Sequence, residues 1–146
     1  METKRIVITG SLGYIGTVLV PYLTRQHHDC IGYDVGFFRD CTLYPPEPQR
    51  MEFKDARDIT VADLRRVDSV VHLAGVSNDP FGKLNPHEVY DPTLTYSLRL
   101  ASLCKDHGVR FIFASSCSIY GKASEEILTE DSPPNPQSPY CSTNSR

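Results

Sequence analysis

The first residues with a chemical signature are three glycines near the N-terminus. Gly10, Gly13 and Gly16 form a G-x-x-G-x-x-G pattern directly after a short apolar run, with Tyr14 and Ile15 between the last two glycines. Glycines at this spacing allow a sharp turn between a strand and a helix, and they let the backbone approach a bound pyrophosphate at the helix N-terminus. The pattern therefore predicts a nucleotide-binding turn, although any tight strand-to-helix turn also favours glycine.

A carboxylate at the end of the next apolar run narrows the kind of nucleotide. Asp34 follows Gly10 by 24 residues and closes the run at 30–34. A carboxylate at this place can accept hydrogen bonds from both hydroxyls of an adenosine ribose, and it would repel a 2′-phosphate. The predicted cofactor is therefore NAD, with NADP as an alternative because Arg39 lies nearby in the following loop.

These residues need a sheet to bring them together, and the chain has the alternation that builds one. Short apolar runs at 5–9, 30–34, 51–54, 69–75 and 110–115 alternate with helical patterns, of which the longest is at 92–107. Strands that alternate with helices pair in parallel through right-handed crossovers. We therefore expect an α/β fold with a doubly wound (Rossmann) parallel sheet of five strands in the order 3-2-1-4-5.

The helix that follows the glycine turn has its own apolar pattern. A helix with one apolar face is typical of an element that packs on one side of a sheet. The residues at helical spacing, which we expect to face the sheet, are Ile15, Val18, Leu19, Tyr22 and Leu23.

Four further motifs follow the strands of this predicted sheet. They are Asp55-Ala56-Arg57-Asp58, His72-Leu73-Ala74-Gly75, Ser115-Ser116-Cys117-Ser118-Ile119-Tyr120-Gly121 and Ser138-Pro139-Tyr140. Together with the glycine turn and Asp34, they resemble the N-terminal part of the extended short-chain dehydrogenase/reductase family, the NAD-dependent sugar-nucleotide epimerases and dehydratases. The resemblance covers essentially the whole chain, although members of that family are longer.

The resemblance implies where NAD would lie. The Asp55 carboxylate would accept a hydrogen bond from the adenine amino group, and the Ala56 N–H would approach the ring. The backbone at 73–75 would line the cofactor. In full, the implied cofactor-binding residues are Gly10, Gly13, Tyr14, Ile15, Gly16, Asp34, Asp55, Ala56, Leu73, Ala74, Gly75 and Ser115.

The resemblance also implies catalytic positions and a reaction. A hydroxyl of a nucleotide sugar would lose its proton to Tyr140 while the hydrogen on its carbon leaves as hydride to NAD, and Ser116 would polarise the reacting oxygen. A tyrosinate needs a nearby cation, because free tyrosine has a pKa of about 10. The family supplies a lysine four residues after the tyrosine, whereas this chain has Asn144 there.

Asn144 leaves more than one interpretation open. An asparagine carries no charge that could stabilise a tyrosinate. The chain is either the NAD-binding part of an epimerase- or dehydratase-type oxidoreductase or a catalytically inactive dinucleotide-binding or interaction module. A third interpretation is a fragment of a longer protein, because the residues that would bind the sugar lie mainly in a C-terminal part of the family.

Composition argues against several other classes of protein. The chain has 146 residues, of which 40% are hydrophobic and 23% charged, and its formal net charge is −3, as in an ordinary globular domain. It has no basic surplus for nucleic acid and no apolar stretch long enough for a membrane span. Its five cysteines are scattered without metal-ligand or disulfide-framework spacing. We therefore expect a cytoplasmic protein with no metal, nucleic acid or membrane partner.

The length and the position of the last strand predict an incomplete sheet. We expect residues 1–146 to form one NAD-binding Rossmann domain that lacks its C-terminal edge and is truncated before the substrate domain. The fifth strand would then have an unpaired edge, which favours a homo-oligomer or another association through that edge.

Overall fold

Two compact units make up the chain. The computed structural model describes residues 2–41, 47–76, 91–122 and 127–144. The first unit, the sheet unit, comprises Met1–Gly75 and Tyr96–Ala114. The second, the C-terminal unit, comprises Val76–Thr95 and Ser115–Arg146.

The sheet unit is built on five parallel strands. They are β1 (Arg5–Thr9), β2 (Asp29–Asp34), β3 (Met51–Phe53), β4 (Ser69–His72) and β5 (Arg110–Phe113). Their order across the sheet is β3-β2-β1-β4-β5, and neighbouring strands pair in parallel. This confirms the predicted α/β fold and its strand order. The register aligns Thr9 of β1 with Tyr33 of β2 and His72 of β4, so the carboxyl ends of three strands meet there.

Helices and short turns join these strands in the described residues. The α-helices are α1 (Gly16–Arg25), α2 (Asp91–Asp106) and α3 (Pro139–Asn144), and two 3-10 turns lie at Ala56–Asp58 and Cys117–Tyr120. The helix predicted at 92–107 is α2, displaced by one residue at each end. In the part of the chain that the structure describes, no helix combines the length and apolarity needed to cross a bilayer.

Both faces of the sheet are covered at its central strands. Successive residues of a strand point to opposite faces, and on one face Val7 belongs to a hydrophobic cluster that includes Leu100 of α2. On the other face, Ile6 and Ile8 belong to a cluster that includes Val20 of α1. Full burial of each such side chain contributes roughly 1.5–3 kcal/mol. Helices on both faces are what a doubly wound sheet requires.

The face that α1 buries differs from the predicted one. Ile15, Val18 and Tyr22 were expected to face the sheet, but their side chains are 56, 68 and 53% exposed. Leu19 and Leu23 of the predicted set are partly buried. The prediction of the helix was therefore right, and the prediction for three of its five sheet-facing residues was wrong.

Gly16 gives the physical reason for this orientation. A Cβ on Gly16 would overlap the Gly10 carbonyl oxygen and would lie 2.6 Å from Ser11 Cα. The helix therefore turns its glycine toward the preceding turn, and Val20, one turn further on, is buried on the same side. The close approach of backbone to backbone decides the rotation of α1, rather than the count of apolar residues.

Candidate cofactor and catalytic site

The glycine turn packs directly against the segment that follows β4. Gly10 has a φ of +71°, in the left-handed region that favours glycine. A Cβ on Gly10 would lie 2.8 Å from Ala74 N and 3.0 Å from the carbonyl carbon of Leu73. The Gly10 N–H donates to Tyr33 O at 2.8 Å. The structure thus brings the first glycine together with two residues whose backbone was predicted to line the cofactor.

The start of α1 offers backbone donors to a ligand. Ile15 is the N-cap of α1, and no side chain makes a capping hydrogen bond there. Within the described residues, the N–H groups of Tyr14 and Ile15 have no protein acceptor, and Tyr14 is 94% exposed. The Gly13 N–H instead donates to Gly10 O at 3.1 Å, which closes the turn. Unpaired N–H groups at a helix N-terminus suit the negative charge of a pyrophosphate.

Asp34 is the last residue of β2 and is fixed by the backbone on both of its oxygens. Its Oδ2 accepts from the Leu12 N–H at 3.0 Å, and its Oδ1 accepts from the Gly36 N–H at 2.7 Å. Leu12 belongs to the glycine turn, so the carboxylate is anchored to it. Each oxygen keeps a further lone pair that can accept from a ribose hydroxyl.

Arg39, the residue for which NADP was kept as an alternative cofactor, has an acidic partner. Its Nε donates to Asp40 Oδ2 at 3.2 Å, and its guanidinium carbon lies 6.0 Å from the centre of the Phe53 ring. Both charged side chains are largely exposed, so the pair contributes little to stability. The neighbouring carboxylate nevertheless offsets the positive charge that a 2′-phosphate would need. This arrangement favours NAD over NADP.

Asp55, the predicted acceptor for the adenine amino group, already faces a guanidinium. Its Oδ1 accepts from the Arg57 backbone N–H at 2.8 Å and from Arg57 Nε at 3.0 Å, and its Oδ2 accepts from Nη2 at 2.7 Å. The hydrogen bond from the Arg57 side chain holds the pKa of Asp55 below its usual value. Ala56, the residue between Asp55 and Arg57 in the sequence, is buried. A bound adenine would share the carboxylate with Arg57, to which sequence reasoning gave no role.

Side chains from two elements hold the segment after β4. The Leu73 N–H donates to Thr9 O at 3.1 Å and so continues the pairing of β1 with β4. The Ala74 N–H donates to Thr9 Oγ1 at 3.2 Å, and Ala74 O accepts from the Tyr96 hydroxyl of α2 at 3.1 Å. Sequence reasoning missed Thr9 and Tyr96. For Thr9, the available signal was a hydroxyl at the last position of an otherwise apolar strand.

Ser116 begins the Cys117–Tyr120 turn of the C-terminal unit as its N-cap. Its Oγ accepts from the Ser118 N–H at 3.3 Å and from the Ser118 hydroxyl at 2.9 Å. A hydroxyl can both accept and donate, so Ser116 is held at the start of the turn and has a proton with which it can form a further hydrogen bond. Sequence reasoning gave Ser118 no role, since it occupies a variable position of the motif. Ser115, the preceding residue, is exposed.

Tyr140 is the second residue of α3 and is partly buried. The helix is only six residues long, but its start is well defined. Ser138 Oγ accepts from the Cys141 N–H at 3.3 Å, and Pro139 occupies the first helical position, where its missing N–H costs no hydrogen bond. Asn144 is the last residue of the same helix.

Cys141, next to Tyr140, is a buried thiol with polar neighbours. The Ser138 hydroxyl donates to Cys141 Sγ at 3.0 Å. Burial would raise the pKa of the Cys141 thiol, but hydrogen bonds from Ser138, Ser118 and the backbone outweigh it and lower the pKa. Ser118 therefore contacts both Ser116 and Cys141, which connects the 3-10 turn to α3.

The fold and these residues define a class of protein. A doubly wound parallel sheet, with a glycine turn after its central strand and a carboxylate at the end of the neighbouring strand, is a dinucleotide-binding architecture. The predicted cofactor residues from Gly10 to Gly75 lie in the sheet unit, and Ser115, Ser116 and Tyr140 lie in the C-terminal unit.

Comparison with protein families places the chain more narrowly. Residues 6–143 match the model of the NAD dependent epimerase/dehydratase family. The chain belongs to this family. The sequence resemblance to sugar-nucleotide epimerases and dehydratases is thereby confirmed.

Individual relatives match over less than half of their own length. A UDP-glucose 4-epimerase from Neisseria meningitidis serogroup B is 30% identical over 154 residues, which cover 97% of this chain and 45% of the relative. The structure of TunA, an NAD-dependent NDP-hexosamine 5,6-dehydratase, has a TM-score of 0.84 and 31% identity, and the match covers 97% of this chain and 46% of TunA. MoeE5, solved with UDP-glucose and NAD, has a TM-score of 0.80 and 28% identity, with 97% and 46% covered.

Proposed function

We propose that the sheet unit binds NAD at the glycine turn. The observation that carries this proposal is the position of the Asp34 carboxylate, which the Leu12 and Gly36 N–H groups hold beside the turn. The N–H groups of Tyr14 and Ile15, which have no acceptor among the described residues, would donate hydrogen bonds to the pyrophosphate, and Asp34 would accept from the adenosine ribose. The match to MoeE5, which was solved with NAD, supports the same cofactor.

The reaction that we propose is hydride transfer at a carbon of a nucleotide sugar, as in an epimerase or dehydratase. NAD, when bound, supplies the acceptor and donor of the hydride. The Ser116 hydroxyl would donate a hydrogen bond to the reacting oxygen, and Tyr140 would take up the proton that leaves this oxygen and return it in the reverse step. The names of the relatives, which include UDP-glucose 4-epimerase and dTDP-glucose 4,6-dehydratase, support a nucleotide-sugar substrate.

Residues 1–146 correspond in this proposal to an NAD-binding domain. The relatives are more than twice as long as the region that they share with this chain. We therefore assign most sugar recognition to a substrate domain, which belongs to the part of the relatives that this chain does not match.

Asn144 supports a second candidate function, a dinucleotide-binding module without catalysis. It ends α3 four residues after Tyr140, at the position of the family's lysine. An uncharged side chain there supplies no positive charge to a tyrosinate. Under this alternative the chain would bind NAD but would not turn over a sugar.

Two measurements test the two candidates. Isothermal titration calorimetry with NAD tests binding, and an absence of heat from well-folded protein would overturn the proposed function. Formation of NADH or of an epimerised sugar from UDP-glucose then tests catalysis, in the wild type and in Asn144→Lys. Turnover by the wild type would exclude the inactive module. NAD binding without turnover, followed by a gain of turnover in Asn144→Lys, would support the module and assign its inactivity to this residue.

We also propose a cellular setting and a mode of assembly. All five cysteines are free thiols in the structure, which is consistent with a reducing compartment and hence with the cytoplasm. In the described residues β5 pairs with β4 on one side only. Its Ile112 and Phe113 are 41 and 40% exposed, and this edge would support a homo-oligomer.

A further inference from the structure

A buried histidine lies behind the segment that contacts the glycine turn. His72, the last residue of β4, is 1% exposed. Its Nδ1 lies 2.7 Å from Thr9 Oγ1, and its Nε2 lies 2.9 Å from the Ser97 Oγ of α2. The ring contacts Tyr96 edge-on, with 5.6 Å between the ring centres, and Phe111 at 5.7 Å. Both nitrogens are therefore paired and the ring plane is fixed.

The hydrogen bonds around Thr9 define the tautomer of this histidine. Thr9 Oγ1 accepts from the Ala74 N–H at 3.2 Å, and its own proton needs an acceptor. Within the described residues, that acceptor is His72 Nδ1. An acceptor at Nδ1 places the ring proton on Nε2, from which it is donated to Ser97 Oγ. The chain of donors thus runs from Ala74 to Thr9, His72 and Ser97.

The two ends of this series of hydrogen bonds lie in different parts of the sheet unit. Ser97 belongs to α2, which packs in the hydrophobic core through Leu100. Ala74 lies so close to Gly10 that a Cβ on the glycine would be 2.8 Å from its backbone nitrogen. The ladder between β1 and β4 ends with the Leu73 N–H, so the Thr9 hydroxyl fixes the next peptide group.

We propose that His72 is a positioning residue for the NAD site, which holds the Thr9 hydroxyl and through it the Ala74 peptide against the glycine turn. This inference rests on the proposed NAD binding. His72 contacts neither the sugar nor the reacting atoms in this role. It connects Ser97 of α2 to the Thr9 hydroxyl, which in turn binds the Ala74 N–H beside Gly10.

Variants at Thr9 test the chain of hydrogen bonds without touching the cofactor turn. Thr9→Val removes the hydroxyl with little change of shape, whereas Thr9→Ser retains it. Thr9→Val is expected to raise amide hydrogen exchange at Ala74 by about tenfold relative to other amides of β4, which corresponds to the loss of one buried hydrogen bond. Thr9→Ser is expected to restore the wild-type exchange. Val7→Ala, on the same strand, is the control for a general loss of stability, and it should change all β4 amides alike.

Ser97→Ala tests the other end of the chain. The imidazole nitrogen resonances of the wild type are expected to report the Nε2–H tautomer. Without the Ser97 acceptor, the resonances should move toward a mixture of tautomers, and the exchange at Ala74 should rise. Ser97→Ala that leaves both the resonances and the exchange unchanged would overturn the proposal.

NAD affinity connects this chain to the proposed function. The dissociation constant for NAD is expected to rise about fivefold to tenfold in Thr9→Val and to stay within about twofold of wild type in Thr9→Ser and Val7→Ala. If NAD binding weakened equally in Thr9→Val and Val7→Ala, the effect would come from a general loss of stability, and the positioning role would be overturned. A wild type that binds no NAD would refute the proposed function instead, and the exchange and tautomer measurements would still decide whether His72 positions Ala74.

Discussion

Asp34 is the residue on which the proposed preference for NAD depends. Asp34→Asn replaces one carboxylate oxygen by an NH₂ group, which cannot accept from a backbone N–H or from a ribose hydroxyl. Loss of a charge-assisted hydrogen bond of about 1.5–3 kcal/mol is expected to weaken NAD binding by about tenfold or more. Calorimetric titration measures the change. Glu52→Gln, an exposed charge removal on β3, is the matched control, and equal affinities in the two variants would contradict the assignment.

The burial of His72 gives a second prediction for a single residue. Burial lowers the pKa of His72 from the usual 6.5 of a histidine to about 4. The unfolded chain therefore takes up this proton before the folded chain does, so acid favours unfolding. The contribution to stability is fully present above about pH 6.5, and about 3 kcal/mol is lost as the pH falls through 4. The groups that face the ring, none of which is charged near neutral pH, are Thr9, Tyr96, Ser97, Phe111 and Phe113.

Urea unfolding at several pH values checks this dependence. The free energy of unfolding of the wild type should fall more steeply between about pH 7 and pH 4.5 than that of His72→Gln, which has no proton to take up. His107→Gln, which removes an exposed histidine, is the matched control. Parallel curves for wild type and His72→Gln would refute the link between burial and acid sensitivity.

At the scale of elements, α1 illustrates what limits prediction from sequence. Apolar spacing predicted that a helix follows the glycine turn, but the side that faces the sheet was set by the contact of Gly16 with Ser11. Spacing records which residues are apolar and contains no information on how closely two backbones approach. The strands were easier to predict, because runs such as 5–9 and 30–34 are buried on both faces, so no buried face has to be identified.

Gly16→Ala tests whether that contact controls α1. In an open helix, this change would stabilise by about 1 kcal/mol through propensity. Here the added Cβ would lie 2.6 Å from Ser11 Cα, and overpacking is expected to lower the free energy of unfolding by about 1–3 kcal/mol. Gly108→Ala is the control, because its φ of +67° adds strain while its Cβ would meet nothing within 4 Å. Urea unfolding measures both, and a stabilised Gly16→Ala would contradict the packing argument.

The candidate site shows the same division between what spacing predicts and what it misses. The glycines, Asp34 and Asp55 stand at fixed positions relative to strands and were predicted from the sequence. The hydrogen bonds behind the glycine turn were not predicted, because they join residues that are distant in the sequence. Thr9 and His72 are 63 residues apart and meet only because β1 and β4 are neighbours in register. The strand order and the register together could have suggested this pair.

At the scale of the whole molecule, the match to less than half of each relative limits which functions this chain can be assigned. The shared part contains the glycine turn, the Asp34 carboxylate and the Ser116 and Tyr140 positions. NAD binding can therefore be tested on this chain directly. Because we propose that sugar specificity depends on the remaining length of the relatives, a sugar nucleotide that fails to bind would not count against the NAD proposal.

The exposed edge of β5 gives the last prediction, which concerns assembly. An edge strand with unpaired N–H and C=O groups and apolar side chains is a template for pairing with another chain. We expect the wild type to self-associate as its concentration rises and Ile112→Lys, which places a charge on this edge, to remain monomeric, as measured by sedimentation velocity. Val18→Lys, which charges an apolar residue that is 68% exposed on α1, should associate like the wild type. Both variants lower surface hydrophobicity. If both reduced self-association equally, the association would come from nonspecific hydrophobic contact rather than from strand pairing.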